Sequence, residues 1–156
     1  MSTERLIASN LCLGKSDLEA FRLLLDSSNR NAVYHAEQAV EHIILALAQS
    51  EGIHYPRNQQ HQLDTMTRAL PEDNSLRSEV MELCWLEAYA TAYRYPRTKG
   101  SIVEAPPRSK LEPALEQIGS VLKKAAEHFG VDLDAPEAPA DHARPPRTSG
   151  PSQGLK

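Results

Sequence analysis

The stretch Asn31–Gly52, NAVYHAEQAVEHIILALAQSEG, decides the fold, because its apolar residues recur in steps of three and four. That spacing predicts one face of an amphipathic α-helix of about six turns. Asn29 or Asn31 can cap its start, and Gly52 can end it. The apolar face consists of Ala32, Ala36, Ala39, Val40, Ile43, Ile44 and Leu47.

The same period continues on both sides of this helix. Upstream, a helix is predicted to begin near Thr3, to run through Gly14 and to continue along a second apolar stripe. Downstream, the pattern predicts a short helix over 61–70 and a long helix over 75–95, which ends before Pro96 because the residue preceding a proline disfavours helical geometry. A last amphipathic helix is predicted over 109–130, with a glycine at its C-terminal cap.

No alternation typical of strands occurs, so the sequence predicts an all-α fold. We expect an antiparallel up-down bundle of four long helices plus one short helix over residues 3–130. From about residue 134 the composition shifts to Pro, Ala, Gly and Ser without an apolar period. Such a segment buries too little surface to offset its ordering entropy, so residues 131–156 are predicted to form a disordered tail.

The totals exclude several classes of function. The 156 residues carry 17 Lys and Arg against 21 Asp and Glu, a net charge of -4. No global positive field therefore draws the chain to nucleic acid or membranes, although a local patch remains open. The two cysteines are predicted to be free thiols, and no apolar run approaches a membrane span or a secretory signal. We expect a cytoplasmic protein with no membrane partner.

A local basic patch does occur, beside the stretch Ala88–Ser101, AYATAYRYPRTKGS. Residues 94–110 hold five positive side chains and one negative, a net +4. Cations at a helix C-terminus are favoured by the helix dipole, which is one interpretation. The other is contact with a nucleotide or RNA, because tyrosines stack on bases and cations bind phosphates. The predicted binding residues are Tyr93, Arg94, Tyr95, Arg97 and Lys99.

A second candidate is RNAVYH, in which Arg30 and His35 are five residues apart. An imidazole that takes the 2′-hydroxyl proton and a guanidinium that stabilises the phosphorane would cleave RNA without metal. The alternative is a helix N-terminus with an unrelated arginine and a boundary histidine. No phosphate-cradling glycine loop is present, and the Glu51–His54 pair straddles Gly52, so we predict no metal site and no cofactor.

Three motifs, in this order, resemble the HEPN domain, a helical module of prokaryotic conflict and toxin–antitoxin systems. The first lies in the second helix and consists of Tyr34, Ala36, Gln38, Ala39 and Glu41. The second is the proline loop and His-x-Leu helix of Pro56, His61 and Leu63. The third is the Arg94-Tyr95-Pro96 triplet that closes the fourth helix. The resemblance covers roughly residues 3–130.

The resemblance implies an up-down bundle, a homodimer, and binding of nucleotide or RNA. Many members are metal-independent ribonucleases with an Arg-x(4–6)-His motif near the end of the fourth helix. Arg94 stands about where that arginine would, but the six residues after it, YPRTKG, contain no histidine. Toxins silenced by a partner nucleotidyltransferase usually carry a tyrosine two residues after the histidine, where this chain has Glu37 after His35. Three hypotheses stay open: a nucleotide- or RNA-binding module, a ribonuclease toxin, and a structural interaction bundle.

Overall fold

The protein, seen in a computed structural model that describes residues 1–150, is built from helices. Five are α-helices: α1 Thr3–Asp26, α2 Ala32–Ser50, α3 Leu63–Arg68, α4 Arg77–Met81 and α5 Arg108–Phe129. Three short 3-10 helices cover Arg57–Gln59, Cys84–Tyr89 and Ala92–Arg94. The predicted all-α class is confirmed. Among residues 1–150, no helix combines the length and apolarity that crossing a membrane requires.

Helices α1 and α2 form an antiparallel hairpin. Asp17 Oδ1 lies 2.9 Å from His35 Nδ1, and Asn10 Oδ1 lies 3.0 Å from His42 Nδ1. Residue numbers thus fall along α1 as they rise along α2. Gly14 lies at this contact, where even a Cβ would be at an ordinary van der Waals distance of 3.5 Å from a backbone oxygen of α2. Helix α5 packs against both members of the hairpin.

Helix α2 is the centre of the bundle. It contacts α1, α5, α3 and the 3-10 helix Cys84–Tyr89. Its buried residues therefore lie on more than one face: Ala32, Val33, Ala36, Glu37, Ala39, Val40, Glu41, Ile43, Ile44, Ala46, Leu47 and Ala48. The predicted apolar face is confirmed, and two buried glutamates are added to it.

The segment predicted as a fourth long helix is not a continuous α-helix. It consists of α4 followed by the 3-10 helices Cys84–Tyr89 and Ala92–Arg94. The spacing of its buried side chains explains the difference, since Val80, Leu83 and Leu86 recur every three residues and are at most 1% exposed. Side chains three apart stay aligned in a 3-10 helix but drift round an α-helix. The Leu83 and Leu86 amides accordingly donate to carbonyls three residues back.

The prediction of a disordered tail does not hold for residues 131–150. They lack helices and strands, as their composition indicates, but they follow the bundle surface. Val131 and Ala140 are buried, and the Ala140 amide donates to the Glu4 carbonyl at 3.0 Å. Arg147 pairs with Asp73 and with Glu51, whose side chain is 4% exposed. These separate contacts, rather than a periodic apolar face, stabilise residues 131–150. The rest of the predicted tail, residues 151–156, lies outside the described residues.

Two glycines test the docking of this segment. Gly130 and Gly52 both have positive φ, 65° and 71°, so an alanine is strained at either position. A Cβ on Gly130 would also lie 2.6 Å from Asp141 Cβ, whereas a Cβ on Gly52 would lie in open space. We expect Gly130→Ala to lower the free energy of unfolding by at least about 1 kcal/mol more than Gly52→Ala, measured by urea denaturation. Equal losses in the two variants would show that Asp141 does not pack there in solution.

Candidate functional site

The predicted binding residues lie where the chain leaves its last 3-10 helix. Tyr95 is extended, as expected before Pro96, and a tight turn follows. In this turn the Arg97 amide donates to the Ser101 carbonyl at 2.8 Å, and the Gly100 amide donates back to the Arg97 carbonyl at 2.7 Å. The turn needs Gly100, whose φ is 83°. It displays the side chains of Arg97 and Lys99 to solvent.

Arg30 and Tyr93 bind each other beneath this turn, in a pair of contacts that we call the clasp. The Arg30 guanidinium donates to the carbonyls of Tyr93, at 3.2 Å, and Val103, at 2.8 Å. It lies 4.0 Å from the centroid of the Tyr93 ring, and the Tyr93 hydroxyl donates to the Arg30 carbonyl at 2.7 Å. Tyr93 is 2% exposed, and burial raises the pKa of its hydroxyl against the opposite effect of Arg30. The two residues therefore hold the turn in position from the side that faces the bundle.

Arg94 instead lies on the outside. Its guanidinium is 4.8 Å from the centroid of the Tyr34 ring, and that ring meets the His35 ring edge-on at 5.3 Å. A guanidinium over an aromatic face is held in a preferred orientation by the ring's negative face. The structure thus brings the start of α2 and the Arg94 segment together within a single chain.

A cavity of about 260 Å³ opens between these elements. We call it the Arg94 pocket; it is lined by Arg30, Tyr93, Arg94, Tyr95, Pro96, Gly100 and Ile102. Tyr95 is 65% and Ile102 67% exposed, so large apolar side chains flank the cationic group. A pocket with an exposed aromatic ring and a guanidinium can hold a base and a phosphate together.

His35, the other predicted catalytic residue, is oriented by Asp17. The 2.9 Å contact joins Asp17 Oδ1 to His35 Nδ1, and the His35 side chain is 30% exposed. A neutral His35 that donates its Nδ1 proton to Asp17 presents Nε2 as a base. His42 lies farther away, with Nε2 3.7 Å from Asp17 Oδ2, and burial lowers its pKa despite the charges of Asp17 and Glu41. Asp17 therefore serves mainly to orient His35.

The structure divides the residues predicted from sequence into two groups. Arg94, Tyr95, Arg97 and Lys99 are exposed, and the first two line the pocket, whereas Arg30 and Tyr93 are bound to each other. One nitrogen of the Arg30 guanidinium is engaged by the carbonyls of Tyr93 and Val103, and His35 contacts Asp17.

Sequence reasoning missed three neighbours of the site. Tyr34 carried the only usable signal, since it precedes His35 and belongs to the motif of the second helix. Asp17 is 18 residues from its partner, and Ile102 looks like any loop residue, so no spacing pointed to either.

A family model described as HEPN domain matches residues 13–128, which is more than half of the chain. Searches of curated proteins and of solved structures find no match. The matched range includes the second half of α1, all of α2, all residues of the Arg94 pocket and most of α5. The chain therefore belongs to the HEPN domain family.

Proposed function

We propose that this protein is a HEPN-type module that binds a nucleotide or single-stranded RNA at the Arg94 pocket. The observation that carries the proposal is the exposed ring of Tyr95 beside the outward guanidinium of Arg94, at the mouth of a cavity of about 260 Å³. Aromatic rings stack on bases of any sequence, and guanidinium groups pair with phosphate oxygens.

Around the pocket, the structure leaves fewer cations for phosphate binding than the five that the sequence of residues 94–110 contains. Arg108 is engaged by Glu112 at 2.6 Å, and Lys110 lies over the Trp85 ring at 4.1 Å. Arg94, Arg97 and Lys99 are exposed and lie within one short segment, with the Arg94 guanidinium oriented by the Tyr34 ring. Three clustered cations in a chain of net charge -4 direct a polyanion to this surface.

Removing two of these cations should weaken RNA binding and its salt dependence. For Arg94→Ala with Arg97→Ala, we expect the slope of log affinity against log salt to fall by about 1.4, as for two lost phosphate contacts on a single strand. Fluorescence anisotropy with a short labelled RNA measures this. The matched control, Arg5→Ala with Lys123→Ala, removes the same charge from exposed positions on α1 and α5. An equal change in the control would place the binding site elsewhere.

Tyr95 should contribute by stacking. We expect Tyr95→Ala to weaken binding of RNA about fivefold or more, because base–aromatic stacking is worth about 1–3 kcal/mol. Tyr95→Phe keeps the ring and should bind like the wild type. Since Tyr95 is 65% exposed, neither change should alter the unfolding midpoint. Equal affinities for the alanine and phenylalanine variants would contradict the stacking role.

A second candidate function is metal-independent RNA cleavage, and the Asp17–His35 contact favours it. His35 Nε2 would accept the 2′-hydroxyl proton and the 2′-oxygen would attack phosphorus; the P–O5′ bond would break, giving a 2′,3′-cyclic phosphate and a 5′-hydroxyl that takes its proton from water. Arg94 replaces Arg30 as the guanidinium for the phosphorane, because Arg30 is held by two backbone carbonyls. A carboxylate on Nδ1 and a cation nearby are the parts this chemistry needs.

Cleavage in EDTA separates the two functions. If the chain is a nuclease, His35→Ala should slow cleavage about a hundredfold or more, as for loss of a general base. His54→Ala, at an exposed loop position, is the control. Cleavage by the wild type that survives His35→Ala would remove His35 from the mechanism. Intact RNA after long incubation with the wild type would leave the binding module as the function.

The family also motivates the remaining parts of the proposal. We propose a homodimer, a role in a toxin–antitoxin or defence system, and a nucleotidyltransferase as partner. Sedimentation of the purified chain, alone and with the product of a neighbouring nucleotidyltransferase gene, tests these points. A monomer that forms no complex would contradict both partner assignments.

A further inference from the structure

Three side chains with metal-binding atoms converge beside α2, apart from the Arg94 pocket. Glu37 and Glu41 are one helical turn apart and lie on the same face of α2. His61 reaches them from the loop that precedes α3. Each offers one ligand atom, and these atoms all lie within 4.8 Å of one another.

Glu37 is an unusual residue for the middle of a bundle. It is 0% exposed, and its Oε1 has no hydrogen-bond partner among the described residues. Its other oxygen, Oε2, accepts from Gln38 Nε2 at 2.7 Å. A buried polar atom without a partner costs free energy, and a buried charge without one costs more. The orphan oxygen therefore indicates that something positive or protonated belongs beside it.

The surroundings of Glu37 are negative. Glu41 stands one turn away on α2, and Asp17 of α1 contacts His35 and His42 of the same helix. The nearby histidines are divided among these acids, with His35 and His42 at Asp17 and His61 at Glu41. A divalent cation would remove the repulsion between Glu37 and Glu41 and supply the missing partner.

His61 is held in an unfavourable backbone conformation that directs it to this cluster. Its φ is 73°, in the left-handed region that few residues other than glycine adopt. Its Nδ1 lies 2.5 Å from Glu41 Oε2, and 47% of its side chain is exposed. The imidazole thus closes the cluster on its solvent side and leaves an entry path for a small ion.

We propose that Glu37, Glu41 and His61 bind a divalent transition-metal ion, with Zn²⁺ as the best fit, and that the ion joins α2 to the loop before α3. Imidazole nitrogen and carboxylate oxygens are established zinc ligands, and three protein ligands leave a further position for water. Zinc holds these atoms at about 2.0–2.2 Å, which in a tetrahedral site places its ligand atoms about 3.3–3.6 Å apart. The three ligand atoms, all within 4.8 Å of one another, reach this spacing by side-chain movements of about 1 Å, which also open the 2.5 Å contact between His61 and Glu41.

One arrangement competes with the ion. A proton shared between the Glu37 and Glu41 carboxyl groups would also satisfy the orphan oxygen, with His61 bound to Glu41 as observed. The two arrangements differ in a measurable way, because the shared proton needs no metal and confers no metal affinity. The site also differs from the Arg94 pocket in every residue, so its test does not depend on RNA.

Calorimetric titration of the EDTA-stripped full chain with Zn²⁺ tests the proposal. We expect one equivalent to bind the wild type, and Glu37→Gln and His61→Asn each to weaken binding at least about tenfold. Asparagine is chosen at 61 because it tolerates positive φ better than most residues, so the loop keeps its shape. Glutamine at 37 retains the size of the side chain and removes its charge. The controls His54→Asn and Glu72→Gln change exposed residues of neighbouring loops and should bind like the wild type.

A second readout guards against loss of folding in the variants. Zinc should raise the Tm of the wild type and both controls but not that of Glu37→Gln or His61→Asn, provided circular dichroism shows them folded. The proposal is overturned if the wild type binds no zinc, or if both variants bind it normally. It is also overturned if binding is lost only in His142→Asn, since the His128 and His142 rings lie 5.4 Å apart at the surface.

Discussion

The enclosure of α2 is the constraint on which the rest of the structure depends. A helix that contacts α1, α3, α5 and a 3-10 helix has little solvent on any side, so each of its polar side chains needs a protein partner. His35 and His42 meet Asp17 and Asn10 of α1, while Glu41 meets His61. The polar pairs that set the α1–α2 register are thus the same pairs that orient the histidines.

The clasp between Arg30 and Tyr93 has a comparable effect on the functional surface. It buries one tyrosine, engages one arginine with backbone carbonyls and fixes the loop on which Arg94 and Tyr95 stand. Exposed side chains on a loop lose conformational freedom when they bind a ligand, and a loop already fixed by its own hydrogen bonds loses less. Contacts within the chain therefore order the proposed site before any ligand binds.

The features that could be predicted from sequence are those that depend on residues close to each other along the chain. Helices α1, α2 and α5 follow from apolar steps of three and four, and Gly130 ends α5 in the left-handed conformation that its position predicted. The 3-10 segments escaped prediction because steps of three also fit a helical window. The docking of residues 131–150 escaped it because separate contacts such as Arg147 with Glu51 leave no periodic signal.

The residues of the candidate site were predictable only as far as local sequence patterns reach. Tyr93 and Tyr95 flank the same arginine and are equivalent in sequence, yet one is buried and the other exposed. What separates them is Arg30, 63 residues away, and a pairing over that distance is invisible to local patterns. Glu37 stood out in the sequence only because it lies where related toxins carry a tyrosine. A glutamate on a helix is ordinarily a solvated residue, so no pattern indicated its burial.

The antiparallel hairpin also has a consequence for the order of folding. Its polar contacts join residues 18 and 32 positions apart, whereas the clasp under the Arg94 pocket spans 63 and 73 positions. Longer loops cost more entropy to close, and contacts of short sequence separation form sooner. The hairpin can therefore assemble while the Arg94 segment is still mobile. Local opening of that segment in the folded protein would likewise leave α1 and α2 paired.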